Sequence, residues 1–423
     1  MLSHKHQNFN LDNTAAIHMA SKNKNWSNMF RLSATLNEPV DVDILQSSVN
    51  EISKRFPTII SCIKKGFFSY YQQSLKTPLL IEKETELLKP MSNKTLANQA
   101  IRVLYNKHLI HIEFFHAITD GKGGVVFLKA LLYEYLKQKE NLKINDSTIL
   151  KAETLPEKEE LDDAYTGITT NFKYKAKHNT QKTFQISDQQ VNTLKTQHFT
   201  IDINNIKPIA RKMNISLTVL ITSLIIMSIQ EIQNKEIQNK KHKAIRVFLP
   251  IDLRNIFNSK TLRNFVLFSK PEINPKNHNY NLTDIISTVN TQLQHDLEPN
   301  LLASKIVKNI NIQNKKFIKF MPLFIKNIIM KLAFLYSEKT TCLTITNMGM
   351  VNLPKEMSHF INSMSCILNT RSRTPYNCSV LTYNNKLQIS FIRNINNAKI
   401  ENEFSNLLKN LNINFEQEEI TYN

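Results

Sequence analysis

The sequence predicts an α/β (α+β) protein built as two halves joined by a polar crossover. Strand-like and helix-like patterns alternate along most of its 423 residues. A chain of that length exceeds one ordinary hydrophobic core, so two subdomains are expected. The alternation dissolves near the midpoint, in LKQKENLKINDSTILKAETLPEKEELDDAYTG, which is charged and weakly apolar. The expected division is therefore a first half at 1–150, a linker at 151–198 and a second half at 199–423.

In the first half, residues 29–36 (MFRLSATL) alternate loosely and read as a strand. Residues 42–56 carry Leu45, Val49 and Ile52 at helical spacing, and Pro57 stops the helix. GFFSYYQQ at 66–73 reads as an aromatic core strand on β-propensity. Residues 96–103 and 109–115 read as paired strands turning at Asn106 and Lys107, with Ile110, Ile112 and Phe114 on one face. Residues 125–136 place Val125, Leu128, Leu131, Leu132 and Tyr135 at helical spacing.

In the second half, 201–213 and 216–233 read as helices. The apolar run at 215–229 is too short and too polar to span a bilayer and predicts a buried helix opened by Asn214 or Ser216. AIRVFLP at 244–250 is a buried strand, 266–268 another, and 282–297 a helix. Residues 315–336 form a helix interrupted by Pro322, with Lys315, Lys319 and Lys326 roughly on one face. So few charges favour the solvated face of a core-packed helix over a membrane-interfacial one. The chain closes with a strand at 342–346, the loop NMGMVNLP, strands at 379–383 and 387–391, and a helix at 399–411.

Composition narrows the function classes. The net charge of +19 comes from lysine used throughout the chain, with no Arg-rich block or basic arm, which disfavours nucleic-acid binding. A local basic patch for a phosphorylated co-substrate remains compatible with it. Cys62, Cys342, Cys366 and Cys378 show no CxxC and no regular spacing, which suits a reducing, cytoplasmic setting without a zinc site or disulfide framework. MLSHKHQNFNLDN lacks the apolar core of a signal peptide, and no segment reads as transmembrane.

The chemistry concentrates in HAITDGKGG, residues 116–124. Three of the six glycines, Gly121, Gly123 and Gly124, follow Asp120 here, between a strand end and a helix start. His116 has the pKa range of a general base for an alcohol, amine or thiol. Asp120 could bond the imidazole or hold the loop. Chance occurrence of His-x-x-x-Asp-Gly is on the order of one in a hundred chains of this composition. No GxSxG or cysteine nucleophile context is present, which favours direct attack on an activated acyl donor over a covalent acyl-enzyme. A metal site from His108, His111 and His116 fits poorly, because His111 and His116 face opposite ways and no acidic partner is evident.

FFHAITDGKGG resembles the His-x-x-x-Asp-Gly signature of the chloramphenicol-acetyltransferase-like superfamily. The resemblance extends through NWSNMFRLSATLNEPVDVDILQ, RFPTI, GFFSYY, LPIDLRN, TLRNF and TITNMGMVNLP, and is nearest to bacterial alcohol-acetyltransferase-like members. The DFGWG motif of the plant enzymes is missing, and Phe115 stands where condensation domains usually double the histidine. The resemblance implies two similar subdomains with mixed sheets flanked by helices and a central channel between them. It implies His116 as general base, Asp120 as a strut paired with a buried arginine (Arg254 first, Arg263 second), and Gly121 closing the loop beside the acyl channel. It implies Thr346 or Asn347 near the developing oxyanion. Acyl-CoA, in particular acetyl-CoA, would be the co-substrate and a small alcohol or amine the acceptor, with no bound cofactor. An acyl or peptidyl carrier protein as donor, and a non-catalytic module of the same fold, are the alternatives.

Overall fold

The computed structural model describes residues 7–23, 26–172, 181–238, 241–276, 278–371 and 374–421. Two mixed five-stranded sheets organise it. The first has the order Ile361–Leu368, Met29–Leu36, Leu109–Phe115, Ile101–Asn106, Glu82–Lys83, antiparallel except for its last pair. The second has the order Ile345–Met350, Tyr376–Tyr383, Lys386–Ile395, Gln190–Asp202, Glu416–Thr421, and only its first pair is parallel. Two large apolar clusters flank the sheets, and Leu381, Tyr383 and Ile392 of the second sheet pack into the cluster of the first. Phe30, Leu32, Ile112, Phe114 and Leu131 lie in the first cluster, and Phe199, Leu224, Ile389 and Phe404 in the second.

Helices cover these sheets where the apolar spacing directs them. Gly121–Glu140 buries Val125, Leu128, Leu131, Leu132 and Tyr135. Leu217–Glu236 starts at Ser216, whose hydroxyl accepts from Val219 N at 3.2 Å. This helix alone, among the described residues, is long and apolar enough to cross a membrane, and most of it is buried inside the protein. Inside the first sheet, Glu113 is held by Arg31 at 2.6 Å and Arg102 at 2.7 Å, which pins the strand that ends at His116.

Several elements differ from the sequence reading. The strand Gln190–Asp202 runs across the boundary expected at 198 to 199, and the helix read from residue 201 begins only at Ile203. The strand Ile361–Leu368, from the segment assigned to the second half, pairs with Met29–Leu36 in the first sheet. Within the expected linker lie the short helix Lys158–Leu161 and buried Glu160, which takes both arms of Arg55, the longer contact 2.7 Å; residues 173–180 of it lie outside the described residues. Residues 93–98 are helical where a strand was expected from 96, because Ser92 caps that turn.

Apolar side chains of two segments expected in the core are on the surface. Strand Tyr70–Ser74 begins only after Phe67 and Phe68, which sit exposed at the preceding turn. Pro322 does break 315–336, into Lys316–Lys319 and Leu323–Glu338. The second of these helices buries only Leu323 and Glu338, so it is not packed into a core.

Candidate active site

His116 stands one residue past the strand Leu109–Phe115, and its backbone N–H donates to Asn28 O at 2.9 Å. The chain then turns through Ile118 N to Phe115 O at 3.0 Å and enters Gly121–Glu140 with Asp120 as the cap. A side chain in this bend is fixed by a sheet on one side and a helix on the other.

Every acceptor position of Asp120 is engaged. Its Oδ1 accepts from Lys122 N and Gly123 N at 3.1 Å each and from Arg254 Nη2 at 3.0 Å. Its Oδ2 lies 2.9 Å from Arg254 Nη1 and accepts from Phe265 N at 2.8 Å. Arg254 is itself saturated, with Asp252 at 2.8 Å, Thr261 O at 2.8 Å and Arg263 O at 2.7 Å. The pair therefore joins the start of the signature helix to the segment 253–265 and leaves Asp120 no lone pair for the imidazole. Arg263 turns elsewhere, donating to Asn10 O.

His116 has a different partner. Its Nδ1 lies 3.2 Å from Asn264 Oδ1, and Asn264 Nδ2 donates to Asp12 Oδ2 at 3.2 Å. An ionised carboxylate only accepts, so Asp12 fixes the amide with its oxygen toward His116. Nδ1 then carries the proton, and Nε2 keeps its lone pair. Asp12 is buried and also accepts from Ala15 N at 2.8 Å, capping the helix Asn13–Ser21. Burial raises its pKa to about 6 against the opposing pull of Arg263.

Two rings enclose the imidazole. His18 stacks on it with centroids 4.5 Å apart and planes inclined at 26°, and Phe30 meets it edge-on at 5.1 Å. Burial lowers the His116 pKa below the ordinary histidine value; its own backbone carbonyl, Asp120 and Asn264 oppose that in part. His18 is pushed further down by the same burial and by His116. His18 Nδ1 faces the side-chain amide of Asn28.

The remaining expected residues lie on the strand Ile345–Met350. Thr346 is half-buried and pairs in register with Ser379. The side chain of Asn347 is committed locally, donating to Thr218 Oγ1 at 2.9 Å and accepting from Gly349 N at 2.8 Å. Gly121 brings the signature against this strand, since a Cβ there would fall 2.4 Å from Met348 Sδ. Gly123 is tighter, because its Cβ would fall 2.4 Å from the carbonyl oxygen of Leu262, which also accepts from Thr119 Oγ1 at 2.6 Å. His111, considered above for a metal, is inside the sheet with Nδ1 2.7 Å from Ser33 Oγ.

Sequence reasoning missed Asp12, His18 and Asn264. Asp12 had a signal, as a capping residue before an apolar helix in NLDNTAAIHMA. Asn264 lies inside TLRNF, next to the arginine that was singled out. His18 carries no local pattern that joins it to His116 across 98 positions.

No family model matches the chain, and no curated protein sequence matches it. Solved structures do. The polyketide synthase associated protein 5 from Mycobacterium tuberculosis superposes with a TM-score of 0.61 at 14% identity, covering 94% of this chain and 96% of its own. A trichothecene 15-O-acetyltransferase from Fusarium sporotrichioides gives 0.62 at 9% identity, covering 96% and 94%. The starter condensation domain of rhizomide synthetase, a mutant in complex with C8-CoA and Leu-SNAC, gives 0.62 at 10%, covering 96% and 93%. The chain has the two-subdomain, chloramphenicol-acetyltransferase-like fold of these structures.

Proposed function

We propose that this protein is a cytoplasmic acyltransferase that moves an acyl group, acetyl in the first instance, from coenzyme A to an alcohol or amine. His116 is the general base. The observation that carries the reading is the polar chain behind the ring: Nδ1 lies 3.2 Å from Asn264 Oδ1, and Asn264 Nδ2 donates to Asp12, which leaves Nε2 to accept a proton in a half-buried, ring-lined setting.

In this reading Nε2 accepts the proton of the acceptor hydroxyl or amine as that atom attacks the thioester carbonyl carbon. The charge that develops on the carbonyl oxygen is stabilised by a hydroxyl, for which Thr346 is the better candidate because the Asn347 amide is engaged with Thr218 and Gly349. The tetrahedral intermediate then expels the thiolate, and the imidazolium returns its proton to sulfur. Residues 1–150 carry the base, 151–198 the crossover, and 199–423 supply Arg254, Asn264 and Thr346.

Direct transfer is also supported by the cysteines. All four are buried, and burial raises the thiols, Cys342 to about 11 and Cys366 to about 12, which removes the thiolate a covalent route requires. The test is free-thiol release from acetyl-CoA with a panel of alcohols and amines. Turnover with coenzyme A thioesters is expected. Turnover only with an acyl-loaded carrier protein would move the assignment to a condensation enzyme, and none with either donor would leave a binding module.

A further inference from the structure

The helix Leu323–Glu338 is amphipathic in the reverse sense. Phe324, Ile328, Leu332 and Tyr336, at four-residue spacing, form an outward stripe with Ile325 and Ile329 beside it, and Phe324 and Leu332 are each 63% exposed. The inward side is partly polar. Asn327 Nδ2 donates to Tyr70 Oη at 2.9 Å, Lys326 Nζ donates to Phe68 O at 2.9 Å, and Phe334 packs on Trp26 at 5.8 Å. Phe67, Phe317 and Phe320 extend the exposed surface, and Phe320 meets the Phe68 ring edge-on at 6.2 Å. Leu323 N donates to Phe67 O at 3.1 Å, which ties the hairpin tip to the helix start. Contiguous apolar surface of this kind marks an interaction site.

Charge identifies the occupant. From residue 299 to 337 the chain has seven lysines and no aspartate or glutamate, and Lys315, Lys316, Lys319 and Lys331 are exposed around the apolar stripe. Lysine is depleted at protein–protein interfaces but characteristic of helices that lie on anionic lipid. The helix has 16 residues, short of the roughly 20 needed to cross the hydrocarbon, so it would lie in the plane of the surface. Its other side contacts the N-terminal segment. A cleft of about 470 Å³, lined by Met19, Lys22, Tyr70, Asn327, Ile328 and Lys331, opens between it and the helix that carries His18.

We infer that the face formed by Phe67, Phe68, Phe317, Phe320 and the outward stripe of Leu323–Glu338 docks this protein on an anionic phospholipid bilayer. The inference is independent of the acyl-transfer reading. The test is co-sedimentation of the full chain with vesicles of phosphatidylcholine alone and of phosphatidylcholine with about one-third phosphatidylglycerol, at low and high salt. The wild type is expected to bind the anionic vesicles at least about tenfold tighter, with binding weakened by salt. Ile328→Glu with Leu332→Glu should abolish binding, and the substituted side chains are exposed, so the melting temperature should stay at the wild-type value. Lys315→Gln, Lys316→Gln and Lys319→Gln together should reduce binding to anionic vesicles only. Wild type that remains in the supernatant with both vesicles, or a double glutamate variant that binds equally, overturns the inference. So does a wild-type dimer by light scattering that the double glutamate variant converts to monomer, since a second copy would then cover this face.

Discussion

Arg254 Nη1 and Nη2 grip Asp120 Oδ2 and Oδ1 at 2.9 and 3.0 Å, across 134 positions of sequence, with both side chains buried. The contact sets the signature loop against residues from the second half of the chain. It also removes Asp120 from any direct partnership with His116, whose ring turns to Asn264 instead. Removing one partner of such a pair leaves an uncompensated buried charge. Asp120→Asn and Arg254→Leu should therefore each destabilise the protein by about 3–5 kcal/mol, read as a fall in melting temperature. The double variant should lose less than the two losses combined, because the pair is coupled. Strict additivity would show the contact to be energetically idle.

The glycines of the signature should differ sharply in tolerance. Gly121→Ala meets the flexible end of Met348, which can move, whereas Gly123→Ala meets the backbone carbonyl of Leu262, which cannot move without shifting the inter-half contact. Gly121→Ala should be folded and further relieved by Met348→Ala. Gly123→Ala should express poorly or melt well below the wild type. Equal melting temperatures for the two variants would contradict this packing.

Asp12 should leave a pH signature in stability. Its pKa rises from 3.8 to about 6 on folding, so between those values the native chain holds a proton that the unfolded chain has lost. This contribution therefore declines as pH rises from about 4 to 6, by about 3 kcal/mol in all. Asp12→Asn removes that slope: its stability relative to wild type should climb through the same window and level off above it. Its activity should fall, because an amide at position 12 no longer dictates which way Asn264 points. A variant with an unchanged stability profile would show that Asp12 titrates like a surface carboxylate.

The acid limb of kcat/KM should report His116. Burial depresses its pKa, and the base works in the neutral form, so activity should persist below the ordinary imidazole midpoint of about 6.5 and be lost only at lower pH. His18→Ala admits water beside the ring, relieves that desolvation and should shift the limb upward. His18→Phe keeps a ring in the stack and should leave it near the wild-type position. An acid limb that neither variant moves would mean that His18 does not shape the environment of the base.

How much of this was legible in the sequence follows from the range of each signal. Strands Met29–Leu36 and Leu109–Phe115 and the helix Leu217–Glu236 were readable because alternation, helical spacing and a capping Ser216 are local. The two-residue turn at Asn384 and Asn385, φ +45° and +58°, likewise marks its hairpin locally. The crossing of Ile361–Leu368 into the first sheet was not readable, since INSMSCIL lacks a clean alternation and its partner lies more than 300 residues away. The outward stripe of Leu323–Glu338 was misread for a related reason. Periodicity shows that a helix has an apolar face, and only packing shows which way that face points. At the site, the signature named His116 and Asp120, but the Asp12–Asn264 link to His116 joins three segments and leaves no spacing to detect.

The central claim rests on one atom, His116 Nε2 as the base in acyl transfer. It is tested most directly by thiol release from acetyl-CoA, in the presence of an acceptor the wild type uses, comparing wild type with His116→Ala of matched melting temperature. Loss of general-base catalysis should lower kcat by about 10²- to 10⁴-fold. Equal turnover by the two proteins would contradict the account.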